Sequence, residues 1–121
     1  MSNETFGEPI YTYTRRQAIE DGVLVDLSSI EVVRQHWKYP FACTTEVWAI
    51  IEVALEKPGQ DVAGICHDIS SMAKLAIHRA KQPDLINFEV FVAGHIRRLK
   101  LHCGPGDDAS PVLTLMLPNQ D

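Results

Sequence analysis

The sequence predicts an α+β domain in which helices from the first two thirds pack on a C-terminal antiparallel β-meander, with a short strand at 23–27 available to join the sheet. Three observations carry this expectation. Leu85 to Ala93 alternates, with Ile86, Phe88, Val90 and Val92 on one side and Asn87 and Glu89 on the other. Two further strand-like runs, 96–103 and 112–117, flank a Gly104-Pro105-Gly106-Asp107-Asp108 turn. Upstream, Val62, Ile65, Ile69, Met72, Ala76 and Ile77 recur at helical spacing and form the clearest apolar stripe in the chain.

In chain order, residues 1–12 read as a flexible N-terminal arm, and 13–121 as a single α+β domain. Thr14 stands three residues before Gln17, the spacing of a capping box, so a short helix starts there and Gly22 supplies the left-handed residue that ends it. Val23-Leu24-Val25-Asp26-Leu27 is β-branched and alternating, which reads as a strand with Val23, Val25 and Leu27 on one face. Ser28 and Glu31 repeat the capping-box spacing and open a second helix towards Trp37, which Pro40 closes. Trp37, Tyr39, Phe41 and Trp48 read most simply as core, with a partner groove as the other reading.

Thr44 or Thr45 caps a third helix whose apolar positions run from Val47 to Leu55, and Lys57-Pro58-Gly59 stops it. The striped fourth helix begins near Asp61, with Pro83 shortly after its end. Gly94-His95 reads as the tight turn between the first two meander strands. The last strand, Val112 to Leu117, is apolar on both parities and therefore belongs in the middle of the sheet.

Composition narrows the function classes. The chain has 121 residues, 45% of them hydrophobic, and a formal net charge of -5, so its overall field disfavours nucleic acid and favours cationic partners. No apolar run is long enough to span a bilayer and the polar start lacks a secretory pattern, so the expectation is a cytoplasmic protein with no membrane contact. Three widely spaced cysteines, Cys43, Cys66 and Cys103, suit reduced thiols, and no paired spacing announces a metal or other cofactor.

Candidate binding residues follow from charge and position. Asp107 and Asp108 beside glycines can orient a basic partner, although Asp and Gly also serve a turn for conformational reasons alone. Strand alternation puts Arg98, Lys100 and His102 on one face, which could grip phosphate or an acidic surface, or simply be solvated. Asp21 and Asp26 bracket the first strand, with Arg15 one short helix upstream. Cys66-His67-Asp68 resembles a catalytic set only as text, because consecutive helix residues point about 100° apart. A cysteine nucleophile with a remote histidine, such as Cys103 with His67, is the remaining route to covalent catalysis.

The segments Tyr13-Thr14-Arg15-Arg16-Gln17-Ala18-Ile19-Glu20-Asp21-Gly22-Val23-Leu24-Val25-Asp26-Leu27-Ser28 and Leu99-Lys100-Leu101-His102-Cys103-Gly104-Pro105-Gly106-Asp107-Asp108, with Pro111 to Pro118, resemble an uncharacterised family of small bacterial proteins. That domain of unknown function is met on plasmids, phages and other mobile elements, and Tyr39 to Thr44 before Val47-Trp48 fits its middle. The resemblance implies an accessory role, for instance countering host defence. The leading expectation is thus a non-enzymatic binding protein of a mobile genetic element, acting on a host or element protein through its acidic surface and the Asp107-Asp108 loop. A homodimer is a further expectation. The alternative is a small enzyme or nucleotide- or metal-binding domain using Arg15, Asp21, Asp26, Lys100 and Asp107.

Overall fold

The computed structural model describes residues 13–81 and 84–120, so the expected N-terminal arm and Pro83 lie outside the described residues. Its elements are α1 (Arg15–Glu20), β1 (Leu24–Asp26), α2 (Glu31–His36), β2 (Phe41–Thr44), α3 (Thr45–Leu55), α4 (Val62–Arg79), β3 (Leu85–Val92), β4 (His95–Pro105) and β5 (Pro111–Met116). The five strands form one sheet in the order β1-β2-β5-β4-β3, an α+β architecture with a C-terminal meander.

The meander is antiparallel as expected, and β5 is central, between β4 and β2. Two features go beyond the sequence reading. Phe41, read from sequence only as core or groove lining, opens a strand, Phe41–Thr44, that pairs parallel with β5, so the sheet is mixed. The short strand β1 does join the sheet, but through β2, at the edge opposite β3.

One face of the sheet carries Val25, Cys43, Leu115, Leu113, Leu101, Leu99, Phe88 and Val90, and receives α2, α3 and α4. On that face α3 covers β1, β2 and β5, α4 covers β3, and α2 packs against α4. Ile65, Cys66, Ile69, Ser70 and Ala73 are the buried side of α4. Met72, predicted within that stripe, is instead exposed, because α4 packs on the outermost strand and Met72 lies on its outer side, beside Glu89, Val90 and Phe91. The buried Ser70 hydroxyl accepts from the Trp37 indole N–H at 3.0 Å, which satisfies both groups.

Local chemistry sets the boundaries. The Thr14 hydroxyl accepts from the Gln17 N–H and the Gln17 side chain accepts from the Thr14 N–H, completing the predicted box; Gly22 follows at φ 79°. Thr44 caps α3 and Asp61 caps α4. The second predicted capping box does not form: α2 begins after Ile30 without a side-chain cap. Ser28 has another partner. Its hydroxyl accepts from the Phe41 N–H at 2.9 Å and extends the pairing of β1 with β2, while Asp26 accepts from the Ser28 N–H. The turn between β3 and β4 is also one residue earlier than expected, at Ala93 (φ 51°) and Gly94 (φ 85°). Positive φ at both central residues is the type I′ form of a two-residue hairpin loop, and His95 is already the first residue of β4.

Candidate functional site

The sheet face away from α2, α3 and α4 collects several of the predicted site residues. Asp26, Ala42, Thr114 and His102 form a cross-strand row on it. Arg15 reaches this row from α1: its guanidinium donates to the Thr114 hydroxyl at 2.6 Å and to the Leu113 carbonyl at 2.7 Å. Burial lowers the Arg15 pKa, against the opposing pull of Asp26 and Asp107.

Asp107 meets the same helix from the loop between β4 and β5. Its carboxylate accepts from the Arg15 N–H at 2.8 Å and the Arg16 N–H at 3.0 Å. Together with the Thr14 cap these bonds satisfy the first free N–H groups of α1. The two N–H donors hold the Asp107 carboxyl below its usual pKa. Arg15, Asp26 and Asp107 therefore come together across about 90 residues of sequence, as a clamp that fixes α1 to the sheet.

Replacing Arg15 by Met keeps the side chain's apolar length and deletes both guanidinium bonds. The expected result is a loss of about 2–3 kcal/mol, since a charge-assisted bond to a half-buried acceptor is worth about 1.5–3 kcal/mol. Urea unfolding measures it, and an unchanged midpoint would refute the clamp.

The other predicted residues sit apart from this cluster and are engaged locally. Asp21 accepts from the Tyr13 hydroxyl, Asp108 from the Ser110 N–H within its own turn, and Arg98 pairs with Glu89 at 3.1 Å. Lys100 donates to the Gln120 carbonyl and ties down the C-terminal segment. The His102 ring lies over Gly104, where a Cβ would come within 2.6 Å of it.

The described residues contain no group of three or more His, Cys, Asp or Glu arranged to hold a metal, and no helix long and apolar enough to cross a membrane. Burial pushes the Cys43 thiol up to about 12 and the Cys66 thiol up to about 11, so neither is a thiolate near neutrality.

Two features escaped the sequence reading. The first is a polar relay between α2 and α4. Lys74 can only donate, so at 3.3 Å from its Nζ the His36 Nδ1 is the acceptor. The His36 proton then resides on Nε2, which donates to His67 Nδ1 at 3.0 Å. Burial lowers the His36 pKa, and Lys74 and His67 lower it further. A histidine pKa depressed below its unfolded value contributes stability that is fully present above about pH 6.5 and is lost on acidification below it. In a titration followed by NMR, His36 is expected to protonate below the usual histidine range. Lys74→Met should move that midpoint upward; no movement would remove Lys74 as a cause.

The second feature is the outer edge of the sheet. β3 is an edge strand of 8 residues, and between it and α4 runs a groove of about 840 Å³, lined by Met72, Leu75, Ala76 and Arg79 on the helix and by 85–89 on the strand. The alternation of β3 is legible in the sequence; its being an edge depends on strand order, which is not. None of the residues predicted for an enzyme site lines this groove. No family model, curated protein or solved structure matches the chain.

Proposed function

We propose that this chain is a non-enzymatic accessory binding protein of a mobile genetic element, acting on a host or element protein, and that the contact runs through the open edge of β3. The observation that carries the reading is the chemistry of that edge. The Cys103 N–H donates to the Asp84 carbonyl, and bonded pairs alternate along an antiparallel ladder, so the even residues of β3 bond to β4. Leu85, Asn87, Glu89 and Phe91 then present their N–H and C=O groups outward, beside exposed apolar side chains. Bare backbone next to an apolar groove favours an added strand, where main-chain bonds give affinity and the groove gives selectivity.

The mobile-element setting rests on the motif resemblance at Tyr13–Ser28 and Leu99–Pro118, and a task such as counter-defence follows from that setting alone. Free cysteines suit a cytoplasmic site of action. The competing reading, a small enzyme or nucleotide- or metal-binding domain, draws less support, because Arg15 and Asp107 hold α1, Asp21 bonds Tyr13 and Lys100 holds the C-terminal segment.

A photo-crosslinking phenylalanine analogue at position 91 tests the edge in cells. Defined adducts are expected, and Asn87→Pro, which removes an outward N–H, should abolish them. Adducts that survive Asn87→Pro, or none at all, would refute the reading.

A further inference from the structure

The β3 edge is self-complementary, and we infer that in the absence of a host or element protein its occupant is a second copy of this chain, paired antiparallel about a two-fold axis through Phe88. The inference rests on the strand-addition reading above and names its partner. Opposite residues in an antiparallel pair share a face, so only registers centred on a residue of β3 are allowed. Centred on Phe88, Leu85 lies opposite the second copy's Phe91, and Asn87 opposite its Glu89.

Leu85 and Phe91 are 48% and 65% exposed, and this register covers both against each other. The outward backbone groups of 85, 87, 89 and 91 meet one another in bonded pairs. Centring on Glu89 would set two carboxylates face to face, and centring on Asn87 would leave Phe91 beyond the paired strands.

The helix above the edge has the same symmetry. Asp68, Met72, Leu75 and Arg79 lie on one exposed side of α4, spaced at helical steps of three and four. Met72 shares a surface recess with Glu89, Val90 and Phe91. Two such helices packed antiparallel set Met72 against the second copy's Leu75, and Asp68 against its Arg79, about one common centre. An apolar pair flanked by opposite charges is thereby generated by the two-fold operation itself, as an isologous interface requires.

The strand also lacks the devices that keep solitary edges apart. Glu89 is the only charged residue in 85–92, its charge is met by Arg98, and the strand holds no proline or lysine. The opposite edge, β1, offers only 3 residues.

Sedimentation equilibrium or light scattering on the full chain tests the inference. The wild type is expected to be a dimer at about 10 µM, and Asn87→Pro should weaken association by about 100-fold or more, through lost main-chain bonds and a bulky ring at the seam. Circular dichroism checks that Asn87→Pro folds; Phe91→Lys, at an exposed side chain, is the second variant and should also yield monomer. Asp68→Arg and Arg79→Asp should each weaken the dimer, and their combination should restore it.

A wild type that stays monomeric at about 100 µM, or is a dimer untouched by Asn87→Pro and Phe91→Lys, would overturn the inference. If the monomeric protein still gives Asn87-dependent crosslinks to other proteins, the second copy is refuted and strand addition stands. A dimer indifferent to both substitutions, with crosslinks equally indifferent, refutes both.

Discussion

Ile69→Asp is expected to abolish cooperative folding. Ile69 is 3% exposed on the core side of α4, within the continuous cluster that includes Ile65, Phe88 and Val90. Burying an unpaired carboxylate there costs several kcal/mol, and removing the isoleucine adds the loss of about 2–5 kcal/mol of packing. A domain of this size has about 5–15 kcal/mol in total. A thermal melt followed by circular dichroism should lose its sigmoid. Ala63→Asp puts the same charge on an exposed position of α4 and should shift the midpoint by only a few degrees. A soluble Ile69→Asp protein with an unchanged midpoint would mean that α4 does not pack on the sheet through this side.

The core role of Ile69 is legible in the sequence because a helix buried on one side repeats its apolar positions at 3.6 residues. The β3 alternation is legible for the equivalent reason at period 2. What the sequence does not display is order in space. Met72 fits the stripe by spacing, yet it lies exposed beside the edge strand, and no local pattern distinguishes an edge from a centre. Ser28 fits a capping box by spacing, but the Phe41 N–H offers its hydroxyl a partner 13 residues away.

The candidate site divides in the same way. Arg15, Asp26 and Asp107 are conspicuous as residue types in apolar or turn-forming surroundings. Their meeting depends on β5 lying beside β2, a parallel pairing that neither strand announces. His36 and His67 carry no spacing signal, since α2 and α4 are brought together only by the tertiary fold.

Phe41→Ala is expected to cost about 3–5 kcal/mol, the usual penalty for truncating a buried phenylalanine in a packed core. It tests β2, the strand that periodicity could not reveal. Phe41, Ala42 and Cys43 are all buried, so the segment shows neither a wet nor a dry parity, and at 4 residues it is too short to be recognised by length. Its position is nevertheless the most demanding in the sheet. The Phe41 ring is 2% exposed and lies 5.5 Å from that of Trp37. On one side its N–H donates to the Ser28 hydroxyl and its carbonyl accepts from the Leu27 N–H; on the other it stands beside Leu113 of β5. Truncating the ring opens a cavity where β1, β2, β5 and α2 meet. Ser28→Ala should cost less, about 1–3 kcal/mol, because it leaves one buried N–H unpaired without opening a large void. Urea unfolding of the two variants ranks these terms. A loss below about 1 kcal/mol for Phe41→Ala would place the ring outside the core, and would undo the parallel β2–β5 pairing on which the Arg15 clamp depends.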